Sequence, residues 1–142
     1  MSDALETGLR HRLRRAVRRS ESQHTQLRAL LAEIEAPLRA GTRVVAADLV
    51  ARLREALQAH FALEDQTLFP ALHGLRPDVS APIEGLAREH ADFLAALAGA
   101  LGTASGCDGD AFLRLRAALG DHERREEQLL ESIVGVDGPR GL

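Results

Sequence analysis

The chain has no lysine, tryptophan or tyrosine, and a single cysteine. With Cys107 alone, an intramolecular disulfide is excluded, and so is any CxxC pair for zinc or redox work. No apolar run approaches the ~20 residues that a membrane span needs. The N-terminal residues carry charges but no apolar stretch of the kind a secretory signal requires, so a cytoplasmic location is expected. Aromatics are few: four Phe are the whole set. That scarcity, beside many Leu and Ala, suits packed helices better than a β-sandwich. The net charge of -3 does not suggest a nucleic-acid partner for the whole chain.

What remains is 142 residues, 45% of them hydrophobic, enough for one core in a single domain over residues 1–142. Leu5, Leu9, Leu13 and Val17 fall at helical spacing, while six Arg crowd residues 10–19. This segment reads either as a basic amphipathic arm for a membrane or nucleic acid, or as a leading helix packed by its Leu stripe with its arginines in solvent. One short basic run favours the second. A first bundle helix is expected from Ser20, where Ser20 and Gln23 resemble a capping box, to Pro37 and Gly41. A second should run continuously from about Ala46 to His73, with Leu49, Leu53, Leu57, His60, Glu64, Leu68 and Ala71 on one seam. A third begins near Ser80 and Pro82 and carries Ile83, Leu86, His90, Leu94 and Leu97. Residues 102–109 form a loop by composition. A fourth helix carries Phe112, Leu115, Leu119, His122, Glu126, Leu129 and Ile133, and a Gly-rich tail from Gly135 to Leu142 is expected to fray. Short connections then predict an all-α, up-down-up-down four-helix bundle with a basic N-terminal arm or helix and a core over about 20–134.

Chemistry enters through spacing. His60 and Glu64 are four residues apart, as are His122 and Glu126, so each pair shares one helix face, one turn apart. Counting ~1.5 Å of rise per residue from the connecting loops puts His24, His60/Glu64, His90 and His122/Glu126 at one height in the bundle, each on its helix's apolar seam. A lone histidine on such a seam is usually a core residue with a satisfied hydrogen bond. Two carboxylates on core seams are costly unless paired or bound to a metal. The competing explanation is a buried His–Glu network without metal. Four nitrogen and two carboxylate ligands exceed tetrahedral zinc. They suit two octahedral ions, with iron favoured and manganese or another divalent metal as alternatives. The order His-x-x-x-Glu, twice, departs from the Glu-x-x-His of ferritin-type sites.

Taken together, His24, then His60-Phe-x-x-Glu64-Asp65-x-x-Leu-Phe-Pro70, Glu89-His90 and His122-x-x-x-Glu126-Glu127 resemble the hemerythrin-like HHE cation-binding domain over about residues 20–134. The resemblance implies that His24 and His60 hold one iron, that His90 and His122 hold the other, and that Glu64 and Glu126 bridge them with an oxo or hydroxo group. Asp65 and Glu127, next to the two ligand carboxylates, are expected to face outward. Leu94 stands where oxygen-carrying hemerythrins have a further histidine. The site therefore looks more like family members linked to nitric oxide, peroxide or iron–sulfur cluster repair, although the cysteine-containing region usual in repair proteins is absent. The expected function is a non-haem di-iron protein that binds or reacts with oxygen, peroxide or nitric oxide, whether or not it turns over as an enzyme. The alternative is an iron- or oxygen-sensing or iron-handling module. As the side chain one turn after His90, Leu94 is expected to face the second iron.

Overall fold

The computed structural model describes residues 2–101 and 107–133, so the Gly-rich tail and most of the 102–109 loop lie outside the described residues. The chain is all helical among these residues and forms a four-helix bundle. Helix α1 spans Asp3–Arg39, α2 Ala47–Leu63, α3 Phe69–Leu75, α4 Ser80–Leu101 and α5 Gly109–Ile133. A π-helical turn, Glu64–Leu68, joins α2 to α3 into one rod, and a short 3-10 turn, Pro77–Val79, leads into α4. Helix α1 packs beside α2 and α5, and α4 beside α5 and α2, which places the four rods at the corners of a square.

The first helix departs from the expected boundary. It begins at Asp3, capped by Ser2, whose Oγ accepts the Leu5 N–H at 3.2 Å, and runs without a break through Ser20. Ser20 is buried inside the helix rather than capping it. The basic arm is thus the first half of α1. Its apolar positions Leu13 and Ala16 are sealed against Leu68, Phe69 and Leu72, while Arg12, Arg14, Arg15, Arg18 and Arg19 stay exposed. Burial of the Leu13 face supplies the tertiary packing that carries helix through an arginine-rich segment. The helix stops in a Schellman motif: Gly41 has φ 96°, the Thr42 N–H bonds the Pro37 carbonyl at 2.9 Å, and the Gly41 N–H bonds the Leu38 carbonyl at 3.1 Å.

The second rod is also interrupted where continuity was expected. The Phe69 N–H reaches back five residues to the Glu64 carbonyl. Pro70 follows at once. A proline has no N–H to give and its ring crowds the carbonyl four residues back, so a widened turn just before it relieves both problems. This extra residue per turn re-phases the helix at Glu64 and Asp65.

The core is in two parts. Leu27, Leu31, Ile34, Leu53, Leu57, Phe61, Leu97, Phe112 and Leu115 belong to one cluster. Leu13, Leu63, Leu68, Leu72, Ile83, Leu86 and Ile133 belong to the other. Along every rod, the buried polar residues fall where one cluster gives way to the other: His24 on α1, His60 and Glu64 on the second rod, His90 on α4, and His122 and Glu126 on α5. A polar layer between two apolar layers is the feature the fold is built to hold.

Candidate metal centre

The structure brings all six expected side chains together. None is more than 6% exposed, and Glu64 is at 0%. They sort into two groups whose ligand atoms lie within 4.8 Å of one another: His24, His60 and Glu126 in one, and Glu64, His90 and His122 in the other. Each carboxylate also approaches the histidine of its own helix turn. Glu64 lies 3.6 Å from His60 Nε2 and 3.0 Å from His90 Nε2 through its two oxygens, and Glu126 lies 3.7 Å from His122 Nε2. Both carboxylates therefore stand between the two groups, each close to members of both.

The outward nitrogens show which way the inward ones point. His60 Nδ1 donates to Gln23 Oε1 at 2.9 Å, His90 Nδ1 to Asp65 at 3.1 Å, and His122 Nδ1 to Glu89 at 3.0 Å. A carboxylate or amide oxygen accepts only, so each of these histidines carries a proton on Nδ1 and turns Nε2 to the interior. His24 and His60 meet Nε2 to Nε2 at 3.0 Å. With His60 bare at that atom, His24 is the donor.

The interior is consequently crowded with acceptors. His90 Nε2, His122 Nε2 and all four oxygens of Glu64 and Glu126 are buried without a hydrogen-bond partner. Glu64 Oε1 and His90 Nε2 approach to 3.0 Å, yet neither atom makes a hydrogen bond. Leaving such groups unsatisfied costs ~1–3 kcal/mol each. A cation, which needs lone pairs and no protons, fits this donor set, whereas a packed protein core does not.

Electrostatics agree with that reading. Burial, reinforced by His24, His90 and His122, pushes His60 down to about 3. Burial also lowers His122, against an opposing pull from Glu89. His60 and His122 are thus biased toward the neutral form, the state in which an imidazole ligates. Burial raises Glu64 to about 7, with the Asp65 and Glu123 charges adding to the effect. Burial and then Glu64 itself raise Glu126 well above the ordinary carboxylate range. Two carboxylates sharing a dry space cannot both ionise without a positive charge between them.

Three of the four phenylalanines wall one side of this centre. Phe61 stacks on His90 with ring centroids 4.1 Å apart and planes within 8°. Phe69 stacks on the same ring at 5.9 Å, and Phe93 meets His122 edge to face at 5.1 Å. On α4, Phe93, three residues after His90, is thus the apolar side chain that meets the His122 ring. Leu94, expected to face the ion, is half-buried and packs against the apolar cluster of Leu97 and Phe112.

Several residues with parts in the centre went unrecognised in the sequence. Gln23 reads as a capping residue in the sequence, yet its amide oxygen holds His60. Asp65, expected to face outward, is 45% exposed and still holds His90. Glu89 stands beside His90 in the sequence, but it turns away from that ring and holds His122. Arg125 braces it through two hydrogen bonds of 2.6 and 2.7 Å. Each of these holders stands one position from an expected ligand, Gln23 from His24, Asp65 from Glu64 and Glu89 from His90, but holds a histidine on a different helix, so adjacency alone does not single it out. Glu127 is exposed. His11 is exposed, and His73 bonds Ser80 near the end of α3, so neither joins the centre.

The family model for the hemerythrin HHE cation binding domain matches residues 15–134. The chain belongs to the hemerythrin HHE family. No curated protein and no solved structure matches it. The hemerythrin match begins within the basic half of α1, in keeping with a helix that runs through Ser20. The HHE domain makes this a cation-binding chain, and the two His/Glu groups are where a cation fits. No helix among the described residues is long and apolar enough to cross a membrane.

Proposed function

We propose that this hemerythrin-family chain holds two iron ions, one on His24, His60 and Glu126 and the other on Glu64, His90 and His122, and that it binds or reacts with oxygen, peroxide or nitric oxide there. The observation that carries the reading is the inward-facing set of His90 Nε2, His122 Nε2 and the four oxygens of Glu64 and Glu126, all buried and none hydrogen-bonded. Two imidazoles and a carboxylate per group, with the partner group's carboxylate in reach, suit octahedral ions better than tetrahedral zinc. Glu64 and Glu126, close to members of both groups, are the bridging residues. Bound iron supplies the electrons and open positions that such ligands require. The protein supplies His60, His90 and His122, each held at Nδ1 with Nε2 turned inward, two carboxylates that offset the metal charge, and a dry apolar wall of Phe61, Phe69 and Phe93. That wall and the near-complete burial admit only very small molecules, which is why diatomic gases and peroxide are the ligands that fit.

The same centre supports a second reading, a sensor. His122 is tied through Glu89 to Arg125 and from there to Asp121, both partly in solvent, so a shift of that imidazole reaches the α4–α5 surface. Protein purified without a histidine tag should take up two Fe(II) per chain under anaerobic titration. Stopped-flow spectra of the loaded, reduced protein mixed in turn with oxygen, peroxide and nitric oxide then separate the two readings. Repeated turnover supports reaction, and a single binding event without turnover supports sensing. No iron uptake, or no spectral change with any of the three, overturns the proposal.

A further inference from the structure

The two groups are built from the same ligand types but are held differently from outside. His90 and His122 each donate Nδ1–H to a carboxylate, Asp65 and Glu89. His60 donates to a neutral amide, Gln23, and among the described residues no side chain holds the other nitrogen of His24. The aromatic wall is unequal in the same sense, with His90 and His122 clamped by Phe61, Phe69 and Phe93. The Glu89 carboxylate is itself fixed by two hydrogen bonds from Arg125, which Asp121 holds in turn at 2.9 Å.

An anionic partner on the far side of an imidazole makes the ligating nitrogen more basic, and a rigid partner fixes its direction. Removing such partners costs roughly 10- to 100-fold in metal affinity. An amide does the directional part only. We infer that the two metal positions are unequal: the Glu64/His90/His122 position fills first and tightly, the His24/His60/Glu126 position fills second and exchanges, and Asp65, Glu89 and Gln23 set this order. These three are positioning residues acting through the histidines they hold. The inference rests on the two-metal reading above and adds to it which ion is retained and which is labile. A labile second ion beside a retained first one also gives a half-loaded state.

The test uses isosteric changes that alter charge and keep shape. Apo protein is titrated with Co(II), read by its visible ligand-field bands, in competition with a chelator of known affinity. Wild type is expected to fill in two separate steps. Glu89→Gln should weaken the first step roughly 10- to 100-fold and bring the two together. Gln23→Glu keeps the acceptor oxygen at a half-buried position and should tighten the second step roughly tenfold or more, leaving the first unchanged. His24→Ala should bind one ion with the bands and affinity of the wild-type first step, and His122→Ala one ion with those of the second. Circular dichroism checks that each variant folds, and Gln23→Glu decides the matter if Glu89→Gln does not. Equal steps in wild type, unchanged constants in Gln23→Glu, or retention of the weak step in His24→Ala would each overturn the order inferred here. A wild-type chain that takes up one ion or none overturns the two-metal reading itself.

Discussion

Replacing Glu64 with Gln should stabilise the metal-free protein and destabilise the loaded one. Folding without metal lifts the Glu64 carboxyl from 4.5 to about 7, chiefly by burial. A group raised on folding contributes stability that is complete below its unfolded value and lost as pH rises through its folded value. Below about pH 4.5 the carboxyl is neutral in both states and costs nothing. Above about pH 7 it must ionise in a dry space, at a cost of about 3 kcal/mol from ~1.36 kcal/mol per pH unit. Glutamine has nearly the shape of the protonated acid and never ionises. Metal-free Glu64→Gln should therefore exceed wild type by up to about 3 kcal/mol at pH 8, or roughly 10 °C in midpoint for a chain of this size. At pH 5 the gain should fall below ~1 kcal/mol by the same relation. The lowered values of His60 and His122 add a separate pH dependence, but it is common to both proteins and cancels when they are compared at one pH. With iron present the order should reverse, because the variant lacks the carboxylate grouped with His90 and His122. Thermal melts by circular dichroism, in chelator at pH 5 and pH 8 and then with Fe(II) under argon, measure all four cases. A metal-free variant no more stable than wild type at pH 8 would falsify the account of Glu64 as an anion buried for a cation.

Iron itself should raise the wild-type midpoint, because free metal at 100 times its dissociation constant adds about 2.7 kcal/mol per site; an unchanged midpoint at saturating Fe(II) would remove the site. Leu13→Ala should cost ~2–5 kcal/mol, since Leu13 is 1% exposed against Leu68 and Leu72. Arg15→Gln on the exposed face should stay within ~0.5 kcal/mol. Equal small effects in urea titrations of the two would mean that the basic half of α1 is not part of the bundle. Phe61→Ala should cost ~3–5 kcal/mol and, by removing the ring stacked on His90, speed the loss of metal to a chelator. Slower or unchanged loss would deny the aromatic wall its role.

The helical period, the turn residues and the one-turn spacing of His60 with Glu64 and His122 with Glu126 are local properties, legible from residue order alone. Four seams with a histidine at one height predict a bundle and its polar layer, because rise per residue converts sequence distance into length along a rod. Other features depend on what a segment meets across space. Ser20 reads as a cap because serine at a helix start usually is one. Burial of Leu13 and Ala16 against α3 keeps the helix going instead, and the serine ends inside. Pro70 signals trouble in its helix, but that the chain answers with a π turn at Glu64–Leu68 and not with a break depends on the packing of Phe69 and Leu72 beyond it. Spacing links Glu64 to His60 and Glu126 to His122. The folded chain also groups Glu64 with His90 and His122 and Glu126 with His24 and His60, because facing helices bring side chains far apart in sequence into one layer. The holders Gln23, Asp65 and Glu89 have no sequence signature, since each reaches a histidine on a neighbouring helix and polar residues at helix surfaces are common. Residue order set the candidate ligands and their height, and tertiary packing decided which carboxylate joins which histidines and what holds each imidazole from outside.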